Sequence, residues 1–275
     1  MSLVLAGIAP HPPLLIPEIG QGELVKVRRT RDALQELSRQ VAAARPETVI
    51  IITPHGPVLR DTPVIMAGEE LKGDFAYFNA ATVKLRARID GELAGAIALA
   101  ARAGGIGVLL QNGAGEALDH GVSVPLYYLQ EAGTGRQCLA IAFAFLSYRE
   151  LFRFGEAVQE AVRTTGRRTV IVASGDLSHR LIPGAPSGYN PRGREFDEQL
   201  VEHLRHYRVE EILSMDEKLV AAAGECGLRS FAVMLGCLSG FSVRPQVLSY
   251  EGPFGVGYLV ALFTPQAGGD GNEQH

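Results

Sequence analysis

The chain has 275 residues, of which 47% are hydrophobic and 20% charged, with a formal net charge of −4. Such a composition suits a globular protein with a sizeable core and argues against the basic field that nucleic acid requires. Cys138, Cys226 and Cys237 are odd in number and lack CxxC spacing, which disfavours a disulfide framework or a structural zinc site.

The N-terminus shows no signal-peptide pattern, and no apolar run approaches the roughly 18 residues of a membrane span. The expectation is a cytoplasmic protein with neither a nucleic-acid nor a membrane partner.

Apolar β-rich runs alternate with helical patterns along the chain. Leu3–Ile8 reads as a strand, and Gly22–Arg45 has the apolar spacing of a helix ended by Pro46. "TVIIIT", residues 48 to 53, is a continuous apolar strand of the kind buried on both faces. Thr62–Ala67 and Ala81–Ala87 suggest further strands, and Gly91–Ala103 an alanine-rich helix. Residues 106–110 and 137–146 read as strands, Glu150–Thr164 as a helix and 168–174 as another buried strand. Arg194–His206, Val209–Ser214 and Arg229–Leu238 read as helices. Two strands, Arg244–Tyr250 and Gly257–Thr264, close the pattern, with antiparallel pairing expected. The tail from Gln266 is polar and glycine-rich. No linker divides the chain, so one α/β domain with a mainly parallel central sheet is expected.

Three histidines follow strand-like segments: His11 in "IAPH", His55 in "IIITPHG" and His179 in "VIVASGDLSH". Ligands of open α/β sheets gather at the carboxyl ends of the strands, where these loops converge. His120 lies in "LDHGVSVPL", read as a loop from its glycine and proline. Each of the four has a plain alternative as a locally hydrogen-bonded turn residue, but four on one rim favour chemistry. His203 and His206, in "EHLRHYR", belong to a solvated helix face, and His275 to the tail.

Two histidines and one carboxylate make the facial set that holds non-haem Fe(II) with open positions. Glu225 in "AAAGECGLRSF" is a candidate carboxylate, at the entrance of an apolar helix whose field favours an anion. Its plain alternative is helix capping. Asp119, Glu116 and Asp176 compete with similar local arguments.

The set "APHPPLLIP", "TPHG", "LDHGVSVPL", "SGDLSH" and "GECGLRSF" resembles the class III, LigB-type extradiol dioxygenase superfamily. Within it the chain is most similar to the branch of AmmeMemoRadiSam system protein B and Memo-like proteins. The resemblance runs from His11 to about Tyr258 and implies a three-layer α/β sandwich, helices on both faces, over residues 1–265. It implies one Fe(II) held by His11, His55 and Glu225, with His179 and His120 as catalytic histidines. The partners implied are a small aromatic diol and O2, and a homo-oligomeric assembly. His179 would serve as general base and then acid, and His120 would stabilise developing oxygen charge.

One departure bears on the ligand set. Memo-like relatives carry a cysteine in the late glycine-flanked turn, where this chain has Glu225 followed by Cys226. Fe(II) of this kind takes a carboxylate, which favours Glu225; a Cys226 ligand would instead point to a non-catalytic metal-binding or redox protein on the same fold.

Overall fold

A computed structural model describes residues 1–112 and 118–266. In chain order the elements begin with β1 (Leu3–Ala9), α1 (Pro17–Gly20), α2 (Arg28–Ala43), β2 (Thr48–Thr53) and β3 (Val64–Ala67). The hairpin β4 (Glu70–Phe75) and β5 (Ala80–Ile89) leads into α3 (Gly91–Ala103), β6 (Leu109–Asn112), α4 (His120–Glu131) and β7 (Gln137–Ala142). There follow α5 (Tyr148–Thr165), β8 (Thr169–Ser174), α6 (Arg192–Arg205), α7 (Val209–Leu213), α8 (Glu217–Ala223) and α9 (Leu228–Cys237). The sheet is completed by β9 (Ser242–Glu251) and β10 (Tyr258–Gln266).

Among the described residues the ten strands join one sheet, ordered β4-β5-β7-β2-β8-β1-β10-β9, with β3 pairing β7 and β6 pairing β3. Its centre, β7-β2-β8-β1, is parallel, and β10 and β9 extend it antiparallel. Successive residues of β2 alternate between two buried cores: Ile50 and Ile52 face one, Val49 and Ile51 the other. Helices α3, α5 and α9 cover the first face, α2 and α4 the second. This is the expected single-domain three-layer sandwich, and both faces of the parallel strands are dry.

Several elements depart from the sequence reading. Residues 21–27 form a 3-10 segment, so the long first helix starts only at Arg28. The segment around His120 is no loop but the start of α4, capped by Asp119, whose carboxylate accepts the Val122 N–H at 3.2 Å. Gly121 and Pro125 disguised a helix buried from Gly121 to Leu126, which therefore has no polar face to betray its period. β4 was not anticipated, because "ELKGDF" has little apolar alternation and owes its strand to pairing with β5. α8 was also missed. Gln266 belongs to β10, whereas residues 267–275 and Glu116 lie outside the described residues. Among the described residues no helix is long and apolar enough to cross a membrane.

Close backbone contacts position the rim. Helix α9 packs on α5 where Gly155 meets Gly236; a Cβ on Gly236 would overlap the Phe152 carbonyl. After β8, Gly175 meets Gly227, and a Cβ on Gly175 would overlap the Gly227 Cα. The "SGDLSH" and "GECG" loops therefore touch backbone to backbone, which no larger residue would allow.

Candidate metal centre

His11 follows β1 and His55 follows β2, and their Nε2 atoms lie 2.9 Å apart. Between β1 and β2 in the sheet runs β8, whose terminal Ser174 Oγ is 2.9 Å from His11 Nδ1. That contact occupies the outer nitrogen and turns Nε2 inward, the usual support for a ligating imidazole. Thr53 Oγ1 accepts the His55 N–H at 3.2 Å and donates to Asp119 at 2.7 Å, tying the His55 turn to the cap of α4.

The late turn brings a third possible ligand atom beside the imidazoles, and it is the cysteine sulfur. Cys226 Sγ lies 3.7 Å from His11 Nε2 and 3.9 Å from His179 Nε2. The ligand atoms of His11, His55 and Cys226 all lie within 4.8 Å of one another. Glu225, expected as the carboxylate ligand, points elsewhere. Its Oε2 accepts the Leu228 N–H at 2.6 Å, the capping role that was its plain alternative. Adjacent residues of the turn diverge, so turning Cys226 inward turns Glu225 away.

The carboxylate beside the cluster is Asp176, one of the competing acids. It accepts the His11 backbone N–H at 3.1 Å, and its Oδ2 is 3.9 Å from His11 Nε2 and 4.0 Å from His179 Nε2. Its backbone N–H donates to Cys226 Sγ at 3.3 Å, while its carbonyl accepts from Gly227 at 3.0 Å. His120 stacks on His55 with ring centres 4.2 Å apart and stands edge-on to His11 at 5.3 Å. Phe78 lies edge-on to His120 at 5.9 Å. Met66, Leu118 and Ala140 help to line a cavity of about 270 Å³ beside His55. The structure thus brings together His11, His55, His120 and His179, with Cys226 and Asp176 in place of Glu225. His206 instead lies beside Glu202 at the C-terminal end of α6, exposed as its charged helix face suggested.

Burial governs the electrostatics. It holds His11 well below the ordinary imidazole value, helped by His55, His120 and His179. Burial likewise lowers His55 to about 4, with His120 and His179 adding to the effect. Both rings therefore present neutral nitrogens at pH 7. Burial raises Asp176 to about 7 and pushes the Cys226 thiol well above its usual value, with Asp176 contributing. His120 and His179 are lowered by burial; a hydrogen bond to the Gly224 backbone opposes the shift at His179.

These donors could hold a single metal ion, their ligand atoms lying within 4.8 Å of one another. With typical bond lengths to imidazole and thiolate, tetrahedral separations are about 3.6 Å for nitrogen–sulfur and about 3.3 Å for nitrogen–nitrogen; His11 Nε2 is 3.7 Å from Cys226 Sγ, and the two Nε2 atoms, at 2.9 Å, stand closer than that geometry. Two neutral imidazoles facing each other at 2.9 Å, beside a buried thiol and a buried carboxyl, form a site that a cation would stabilise.

Residues 5–261 match the family model of the catalytic LigB subunit of aromatic ring-opening dioxygenase. The chain belongs to the LigB family. A LigB-type sequence expectation and the observed fold therefore agree. The chain is 40% identical over 267 residues to Protein CA_C1420 of Clostridium acetobutylicum, covering 94% of this chain and 57% of that protein. It is 29% identical over 129 residues to 3,4-dihydroxyphenylacetate 2,3-dioxygenase of Escherichia coli, covering 44% of this chain and 47% of the relative. The matches thus span about half the length of these curated relatives. The crystal structure of uncharacterized protein JW3007 from Escherichia coli K12 superposes with a TM-score of 0.60 at 16% identity, covering 94% of this chain and 99% of the other. That last likeness concerns the fold alone.

Proposed function

We propose that this LigB-family chain is a metal-dependent oxidoreductase that opens a small catechol-type diol with O2, using Fe(II) held by His11, His55 and Cys226. The LigB family match over residues 5–261 supports the ring-opening reading, and the convergence of the His11, His55 and Cys226 donor atoms within 4.8 Å supports a metal there. Bound there, the metal would supply Lewis acidity toward a diol hydroxyl and redox chemistry toward O2.

The chain's own groups would handle protons and orientation. His179 Nε2, 3.9 Å from the thiol, is unprotonated at neutral pH and placed to take a proton from a hydroxyl brought to the centre. His120, stacked on His55, presents a polar edge toward the same space and can donate to oxygen that gains charge. Asp176 keeps the His11 segment and the cysteine turn in register. Phe78, edge-on to His120, would offer an aromatic face beside that histidine.

A second reading is favoured by Cys226 itself. The facial set for Fe(II) oxygenation has a carboxylate where this chain offers a thiol, and thiolates select softer ions. On this reading the chain is a metal-binding or redox protein without ring-opening activity. Anaerobic purification followed by metal analysis and O2-uptake measurements with a catechol panel tests both. Stoichiometric iron and diol-dependent O2 uptake are expected for the dioxygenase. A tightly bound metal with no O2 uptake on any diol overturns it in favour of the second reading.

A further inference from the structure

The cavity beside His55 lies on the β7 side of β2 and shares that histidine with the candidate metal centre. Met66 of β3, Ala140 and Ala142 of β7 and Leu118 before α4 give it mostly apolar walls. Asp119 is the one acid among its described lining residues, which include no lysine or arginine. The two alanines matter because they are small: larger side chains on β7 would fill the space.

Only one oxygen of Asp119 serves the fold. The hydrogen bonds it accepts from Thr53 Oγ1, at 2.7 Å, and from the Val122 N–H, at 3.2 Å, both go to Oδ1. Oδ2 lies toward Gly56, where an added Cβ would stand 3.5 Å from it, so the missing side chain keeps that oxygen approachable. Burial raises the carboxyl above its ordinary value, as for an acid that water solvates poorly. A carboxylate oxygen left over by the fold in a mainly apolar cavity is matched by a cationic donor. His120 follows Asp119 directly and stacks on His55 at 4.2 Å, so the acid stands one residue from the rings that flank the centre.

We propose that this cavity takes the side chain of the substrate, and that Asp119 selects a diol whose ring carries a short arm ending in an ammonium. The inference rests on the ring-opening reading, in which the diol sits at the metal. A ring there adjoins the cavity, because His55 is a wall of both. An ammonium at Oδ2 makes a charge-assisted hydrogen bond to a carboxylate already withdrawn from water, whereas a carboxylate arm would meet like charge.

Diols that share one ring and differ in the charge of the arm test this on Fe(II)-loaded protein without oxygen: 3,4-dihydroxyphenethylamine, 4-ethylcatechol and 3,4-dihydroxyphenylacetate, with unsubstituted catechol as reference. Calorimetric titration should find the amine about tenfold or more tighter than 4-ethylcatechol, the worth of one charge-assisted hydrogen bond, and the carboxylate weakest. Asp119→Asn keeps an equally good helix cap and removes the charge. It should bring the amine and 4-ethylcatechol to within about threefold of each other. Ala140→Val, a residue suited to a strand, should weaken the armed diols several-fold relative to catechol by filling the cavity. The proposal alone is overturned if the diols bind with no preference for the amine, if Asp119→Asn leaves that preference intact, or if Ala140→Val weakens catechol as much as the armed diols. Failure of every diol to bind overturns it together with the placement of a diol at the metal. O2 uptake is measured separately: its absence with all of these diols counts against ring opening, while the affinity ranking still decides the arm site.

Discussion

Metal loading should release protons in a number that identifies the thiol as a ligand. His11 and His55 are held neutral at pH 7 by burial and add no proton. The buried Cys226 thiol is protonated at pH 7 and must lose its proton to bind as thiolate. Asp176, raised to about 7, is half protonated there and would ionise beside a cation. The sum is about one and a half protons per ion at pH 7 and about one at pH 8. Apparent affinity should accordingly rise about tenfold per pH unit near pH 8. Cys226→Ala should release about half a proton at pH 7 and almost none at pH 8; Asp176→Asn should release about one at both. Anaerobic calorimetry in buffers of different ionisation enthalpy measures the count. The difference between proteins is the readout, because a proton lost from bound water appears in all of them. Equal release by wild type and Cys226→Ala at pH 8 would refute the assignment of the thiol.

Three further outcomes separate the remaining roles. His11→Ala should lose metal, whereas His179→Ala should retain it and lose about a hundredfold or more in any diol-dependent O2 uptake; metal analysis and an oxygen electrode on the same samples check both. Gly236→Ala forces a Cβ against the Phe152 carbonyl and should cost about 1–3 kcal/mol or more in urea denaturation, with weaker metal binding because α9 carries the cysteine turn. Asp197, buried and accepting from Tyr250 at 2.6 Å and Ser178 at 2.8 Å, is raised to about 7 chiefly by burial. The unfolded carboxyl titrates near 3.9, so the native state holds this proton more tightly. Its stabilising effect is full below that value and declines as pH rises from there through 7, by about 4 kcal/mol at most. Asp197→Asn should flatten that decline in melting temperature between about pH 5 and 8; an unchanged profile would remove Asp197 from the account.

Much of the architecture was legible from local pattern. "TVIIIT" and "RTVIVAS" are apolar at every other position and between, the mark of strands buried on both sides, and they pair side by side as β2 and β8. Histidines placed just after such strands had to emerge on one rim, because parallel strands all end at the same edge. Where the chain relied on partners, local pattern failed. β4 is a strand because β5 pairs with it, and α4 is a helix although glycine and proline interrupt it, with the run from Gly121 to Leu126 buried against the sheet.

The choice between Glu225 and Cys226 could not be read from adjacent letters. Both residues sit in the same turn, and only its docking against Gly175 and Asp176 determines which side chain faces the imidazoles. The sequence by itself determined the alternation of elements and the rim on which His11, His55 and His179 would gather, since those follow from hydrophobic period and strand direction; the place of His120 came from the packing of α4. Tertiary packing decided which side chain of the turn meets the imidazoles: the Gly175–Gly227 contact presses two distant loops together in one register, and that register sends the thiol inward and the carboxylate toward the start of α9.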